Sequence, residues 1–331
     1  MSLEAARFQD AIQPGNAVII FNPEAGTMSP HKKSLYVDRA EDRMIEHGWR
    51  VSVRRTKYKG HEAKLAERAV KNEADVILHA GGDGGPKHML PVLAYSETAL
   101  GILPLGTVKL WARETGITGS PENAVDMQLA GGVRQMDVGT LNDKHYFRDA
   151  AGLNFDGAIA DSIDRLRTKN GKRILRGAPS YFAAACVQYP ITEPTEAVLT
   201  VDGESHHTSL FQAWVGNTRL LGFMELRPEG RVDDGSLDVT VFPKLSIPSF
   251  IKNAAPALTR HFLSLSGNRA PGAVYYQGAT TRVETERPVY AQLDGEVVSP
   301  NNVHTFKTLP GALRTLVPDT EKARSLFSQA V

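Results

Sequence analysis

One cysteine, Cys186, stands in 331 residues, which excludes an internal disulfide and leaves no cysteine-built metal site. Set among Ala183, Ala184, Ala185 and Val187, it reads as a small core residue. No apolar run approaches the roughly 18 residues needed to span a bilayer. The first residues include Glu4 and Asp10 and lack the basic start and apolar core of a secretion signal, so the expected location is cytoplasmic, with at most peripheral membrane contact. A charge excess is also missing: 38 Lys+Arg stand against 37 Asp+Glu, a formal net charge of +1. No global field would draw the chain onto nucleic acid, none is expected as a partner, and any anionic ligand must be met locally. No internal repeat or low-complexity tract is found.

What is present is the balance of a globular protein, 41% hydrophobic and 23% charged, with length for about two domains at roughly 100 to 200 residues each. Residues 1–133 alternate short apolar runs with helical stretches. Ala17 to Phe21, Arg50 to Arg55, Val76 to Ala80 and Leu100 to Leu103 read as strands. Glu62 to Lys71, Pro86 to Tyr95 and Val108 to Thr115 read as helices. That alternation predicts a parallel three-layer α/β domain with ligands at the carboxyl ends of its strands.

From Arg134 the rhythm changes to closely spaced strands, at 135–141, 146–151, 197–201, 209–215, 237–242, 281–286, 289–293 and 303–308. Helices are expected near 158–167, 180–188 and 249–265. This predicts a β-rich sandwich or open barrel over 134–317. Residues 318–331 are expected to form a terminal helix that packs back on the first domain.

Three glycine-containing loops follow strands of the first domain: Asn22-Pro23-Glu24-Ala25-Gly26-Thr27, Gly81-Gly82-Asp83-Gly84-Gly85 and Leu103-Pro104-Leu105-Gly106-Thr107. Bare glycines admit a phosphate to the backbone, and a following helix N-terminus adds positive potential. Neither the P-loop nor the dinucleotide fingerprint fits, because no Gly-Lys-Ser/Thr follows and Lys87 stands where a third glycine would be.

In these residues the chain resembles the lipid kinases that share the diacylglycerol-kinase catalytic domain, relatives of the sphingosine kinases. The hallmarks Asn-Pro-x-(Ser/Ala)-Gly, Gly-Gly-Asp-Gly-Thr and Pro-Leu-Gly-Thr-x-Asn-Asp-x-Ala-Arg match as Asn22 to Gly26, Gly81 to Gly84, and Pro104 to Thr107 with Ala112 and Arg113. Phe147 to Asp156, Gly216-Asn217 through Asp238 and Leu293 to Glu296 follow in family order.

The resemblance implies a phosphofructokinase-like α/β domain carrying ATP, a β-rich domain carrying a diacylglycerol-like or sphingoid-like lipid, and phosphoryl transfer in the cleft between them. Carried over by position, ATP falls to Asn22, Thr56, Gly81, Gly82, Gly84, Gly85, Lys87, Gly106 and Thr107. Magnesium falls to Asp234 with the main-chain oxygens of Arg231 and Ser236, and catalysis to Asp83, Asp294 and Glu296. Glu296 is favoured as proton acceptor with Asp294 orienting it, the reverse assignment staying open. The basic run Arg165, Arg167, Lys169, Lys172, Arg173 and Arg176 is placed to meet an anionic membrane surface. Assembly as a homodimer is left open.

The chain also departs from the pattern: Gly85 replaces a threonine, Lys87-His88 an Asn-Glu pair, and Lys109-Leu110 an Asn-Asp pair. One account gives the two lysines to the ATP phosphates. The other is a catalytically degenerate nucleotide- or lipid-binding regulator. An NAD kinase, which shares the Gly-Gly-Asp-Gly loop, is the remaining rival.

Overall fold

The computed structural model describes residues 12–165, 178–221, 224–225, 227, 229–244, 246 and 272–328. The chain divides into two compact units. The first comprises Met1–Val138, Arg231–Asp234 and Pro310–Val331, and the second Gly139–Gly230 and Gly235–Leu309.

The first unit begins β1 (Asn16–Phe21), α1 (Pro30–Glu46), β2 (Arg50–Arg55), α2 (His61–Lys71) and β3 (Val76–Gly81). A single 3₁₀ turn (Pro86–His88), α3 (Leu90–Leu93), β4 (Ala99–Pro104), α4 (Leu110–Thr115) and α5 (Pro121–Gly131) follow. Its strands are parallel in the order β2-β1-β3-β4. β3 and β4 are buried along their whole length, as apolar strands covered on both faces must be. Ile19, Phe21, Leu78, Leu103, Val37 and Met44 pack in its core, each contributing about 1.5–3 kcal/mol by leaving water. Because β2 lies on one side of β1 and β3 on the other, the chain reverses direction across the sheet between β1 and β3. Ligands of open α/β sheets bind at the carboxyl ends of strands at such a switch point.

Two helices were not anticipated. α1 starts where the Ser29 hydroxyl accepts from Lys32 N (3.4 Å) and Pro30 takes a first-turn position, a favoured helix entry. It buries Lys33, Val37, Ala40 and Met44, while Leu35 and Ile45 point to solvent. α5 buries Ala124, Val125 and Gln128. The Gln128 amide accepts from Ile102 N (2.8 Å) and donates to Ile102 O (2.9 Å), completing the backbone bonding of β4. The helix anticipated over 86–95 is instead the 3₁₀ turn and the four-residue α3, separated at Met89, with Pro91 in the first turn of α3.

β5 (Val133–Leu141) carries the chain from the first unit into the second. β6 (His145–Phe147), β7 (Ala150–Asn154), α6 (Phe155–Arg165), α7 (Ala178–Ile191), β8 (Thr195–Val201), β9 (Glu204–Leu210) and β10 (Gln212–Gly216) follow. Then come β11 (Leu220–Leu221), β12 (Met224–Glu225), β13 (Leu237–Phe242), β14 (Val274–Gly278), β15 (Thr280–Leu293), β16 (Glu296–Leu316) and α8 (Glu321–Leu326). β14-β13-β10-β7-β15 run antiparallel. β15 bends, its first half pairing β8 and its last residues β7.

The strand anticipated over 146–151 is broken at Arg148-Asp149, and 209–215 is two strands turning at Phe211. The helix expected over 249–265 lies outside the described residues. From Pro310 onward β16 belongs to the first unit, where Thr315 pairs with Leu100 of β4. α8 follows in that unit, and the Thr320 hydroxyl donates to Thr115 O (2.6 Å). Cys186 is exposed on α7, not in the core, because that helix turns Ala184 and Tyr189 inward against Phe155 and Phe211.

Asp156 of α6 is buried and takes a hydrogen bond from Gln292 Nε2 (2.7 Å). Burial pushes its pKa from 3.8 up to about 6. A carboxyl group that binds its proton more tightly when folded lowers stability once ionised. The cost is absent below the unfolded pKa, grows as pH rises toward 6, and stays constant above, reaching about 3 kcal/mol. Asp156→Asn is therefore expected to raise the thermal midpoint at pH 7.5, with a gain that shrinks as pH falls toward 4. A pH-independent gain in melting curves would contradict this assignment.

Candidate nucleotide and catalytic site

The three glycine loops lie at the carboxyl ends of β1, β3 and β4 and bind one another through their backbones. Asn22 N donates to Ala80 O (2.9 Å), and Leu105 N and Gly106 N both donate to Gly81 O (3.1 and 2.9 Å). Gly26 has φ +63°, and a Cβ there would stand 1.9 Å from Leu105 O, so the first loop sits directly against the third. Asn22 Oδ1 accepts from Glu24 N (3.0 Å) and its amide donates to Glu62 Oε1 of α2 (3.2 Å). Lys33, buried in α1, donates from Nζ to Pro23 O (2.7 Å). Thr56 is buried beside this loop, its N donating to Phe21 O (2.8 Å). Asn22, Thr56, Gly81, Gly82, Gly85 and Gly106 are thus gathered in one region of the first unit. Glu62 and Lys33, which support them, carry no motif and were not anticipated.

The glycines of these loops serve different ends. A Cβ on Gly106 would come 2.8 Å from Gly82 Cα, and one on Gly81 or Gly85 would enter the His79 ring at 2.4 or 2.3 Å. At Gly82 a Cβ would meet only Gly106 Cα, at an ordinary 3.9 Å. The chain's own packing explains Gly26, Gly81, Gly85 and Gly106, and does not explain Gly82.

Asp83 spends both oxygens on the third loop: Oδ2 accepts from Lys109 N (2.9 Å) and Oδ1 from Leu110 N (2.7 Å), the start of α4. Lys109 adopts a left-handed conformation (φ 55°) to present that turn. Where the family has an aspartate, Leu110 is buried, while Lys109 and Thr107 are exposed and Lys87 is half-buried in the 3₁₀ turn. Burial holds the Arg113 pKa below its usual value, partly offset by the carboxylates of Glu114 and Asp83.

In the second unit Asp294 and Gly295 form the two-residue corner between β15 and β16, both with positive φ (47° and 82°), and Leu293 pairs with Glu296 across it. Asp-Gly is the pair this hairpin corner prefers. The Asp294 carboxylate turns inward: Oδ2 accepts from Arg148 N (2.9 Å), and Oδ1 from Asp149 N and Ala150 N (both 3.0 Å). Burial, then the neighbouring Asp149 carboxylate, raise its pKa to about 7 against these hydrogen bonds. Beside it, Arg148 and Asp149 make a buried two-bond ion pair (2.8 and 2.9 Å). Asn217 donates to Arg148 O (3.1 Å) and Thr218 to Asp149 O. Glu296 is half-buried at the start of β16.

Of the residues assigned to magnesium, Arg231 and Asp234 are exposed in the first unit and Ser236 belongs to the second. The neighbouring Asp233 is engaged with the C-terminal segment, accepting from Ser328 N (2.8 Å), and Arg231 Nη1 donates to Phe327 O (2.7 Å). Among the described residues no three His, Cys, Asp or Glu side chains group to hold a metal, and the set assigned to magnesium contains one carboxylate, Asp234. Arg165 ion-pairs with Asp161 (2.7 Å), while Arg167 to Arg176 lie outside the described residues. Among the described residues no helix is long and apolar enough to cross a membrane.

The profile described as "Diacylglycerol kinase catalytic domain" matches residues 16–141, and that described as "YegS C-terminal NAD kinase beta sandwich-like domain" matches 157–317. The chain is 26% identical over 284 residues to a diacylglycerol kinase of Bacillus subtilis strain 168, covering 85% of this chain and 89% of that one. A diacylglycerol kinase of Staphylococcus haemolyticus is 23% identical over 290 residues, covering 85% and 82%. The crystal structure of a diacylglycerol kinase from Bacillus anthracis superposes with a TM-score of 0.66 at 21% identity, over 93% of this chain and 98% of that one. With both profiles in order over the α/β and β-rich units just described, the chain belongs to the diacylglycerol-kinase catalytic-domain family.

Proposed function

We propose that the chain is an ATP-dependent lipid kinase that transfers the γ-phosphoryl group to the hydroxyl of a diacylglycerol-like or sphingoid-like lipid. Gly82 carries the reading. It lies at a sheet switch point, at a position where an added Cβ meets only Gly106 Cα, at an ordinary 3.9 Å. A bare backbone there suits an approaching phosphate. Lys109 and Lys87 supply point charges for the phosphates. Asp83, held to the start of α4 by two backbone N–H groups, is the carboxylate within the glycine loop that would face a cation-bearing nucleotide. Magnesium would neutralise phosphate charge there, and at Asp234 would brace the 231–236 segment.

The second unit supplies the proton acceptor. As the lipid oxygen bonds to the γ-phosphorus and the bond to the β-phosphate oxygen breaks, the hydroxyl proton passes to a carboxylate. Asp294 suits this role better than Glu296, because backbone donors fix it and its pKa of about 7 is matched to neutral pH.

The test is ATP consumption across a panel of diacylglycerols, sphingoid bases and related lipid alcohols, with lipid-free and NAD-containing controls. Lipid-dependent consumption is expected. Consumption that requires NAD would favour the NAD kinase, and ATP binding without turnover on any lipid would favour a regulator.

A further inference from the structure

Position 85, where a threonine of the family's motif is missing, is occupied from below by another residue. His79 lies on the fully buried β3, in register with Ile20 of β1 and Ile102 of β4, and is itself 1% exposed. Its ring reaches both ends of the second loop. A Cβ at Gly81, where the strand leaves, would stand 2.4 Å from His79 Cε1, and a Cβ at Gly85, where the helical turn begins, 2.3 Å from Nε2. Between these points the loop closes through Gly85 N donating to Gly82 O (3.1 Å). Both glycines therefore follow from one imidazole, and neither has a positive φ that would demand glycine by itself.

Resting on the nucleotide-site reading above, we propose that His79 is the positioning residue of the phosphate loop and that Gly85 is its steric complement. The missing threonine is then an exchange of one support for another, made beneath the loop, and not a sign of a decayed site. A close-packed interior allows such an exchange only in pairs, because an added side chain at 85 and the ring at 79 claim the same volume.

The experiment is a double-mutant cycle on the full chain with Gly85→Thr, His79→Ala and the pair together, read by calorimetric binding of Mg-ATP and by thermal midpoint. Gly85→Thr is expected to weaken Mg-ATP binding roughly ten- to hundredfold by forcing the loop off its support. His79→Ala is expected to weaken it less. The pair should bind Mg-ATP more tightly than Gly85→Thr alone, a rescue that two independent structural losses do not produce. In turnover assays the KM for ATP should move while the KM for lipid does not. Gly85→Thr binding as the wild type does, or a pair at least as weak as Gly85→Thr, overturns the proposal. Should the wild type bind no Mg-ATP, the kinase reading falls separately. The pairing of 79 with 85 is then decided by the thermal midpoints, where the same rescue supports it and additive losses overturn it.

Discussion

Asp294→Asn is expected to lower turnover on the true lipid by roughly 10²- to 10⁴-fold, the scale of a lost general base, while Mg-ATP binding is retained. The side chain is held by three backbone N–H groups and cannot swing away. Three such donors alone would lower a carboxyl pKa, yet burial and Asp149 outweigh them and raise it to about 7. Wild-type turnover should therefore rise with pH through about 7 as Asp294 loses its proton, and fall on the acid side. Asparagine keeps the hairpin corner, which accepts Asn-Gly as readily as Asp-Gly, but its amide would face backbone donors. The lost backbone bond, about 1–3 kcal/mol, opposes the relief of removing a carboxyl whose ionisation costs stability, so the thermal midpoint is expected to change less than the rate. Melting curves and the pH-rate profile separate the two effects. If Glu296→Gln is inactive and Asp294→Asn is not, the roles are exchanged; if both stay active, the proton-transfer assignment fails.

Gly82→Val carries the other large effect. A Cβ at 82 has ordinary clearance inside the protein, so the thermal midpoint should barely change. The same atoms would stand where a phosphate must approach the backbone, and Mg-ATP affinity is expected to fall at least tenfold. Gly26→Ala is the internal contrast: with φ +63° and Leu105 O 1.9 Å from the added atom, it should damage folding first. Calorimetry beside thermal melts distinguishes them. Unchanged affinity in Gly82→Val with an intact fold would place the phosphates elsewhere.

β1, β3 and β4 were legible because strands covered on both faces are written as unbroken apolar runs, and the loops between them because glycine clusters interrupt those runs. α1 was not, because its inward row opens with Lys33 while Leu35 and Ile45 face water, which blurs the helical period. α5 was hidden for a related reason: its inward face is built from Ala124, Val125 and Gln128, and Gln128 is buried to bond a strand backbone, not for apolarity.

In the second unit Arg148-Asp149 falls inside the stretch that the sequence reads as one strand, 146–151. It is a buried ion pair at a strand break, held by the distant Asp294, which the hairpin corner brings beside it, and by Asn217 and Thr218. His79 was invisible for the same reason, since a lone histidine in an apolar run has no meaning until the glycines above it are placed. The motifs thus marked the glycine loops, while Glu62, Lys33 and His79, which pack against those loops, carry no motif.

The most direct test is to incubate the chain with ATP labelled in the γ-phosphate, NAD and mixed micelles of the lipid panel, then to identify the labelled product by mass spectrometry. Label is predicted in a lipid phosphate monoester, formed with an equal amount of ADP and absent from the Gly82→Val reaction. Label confined to inorganic phosphate or to NADP, or lipid labelling equal in wild type and Gly82→Val, would contradict the account.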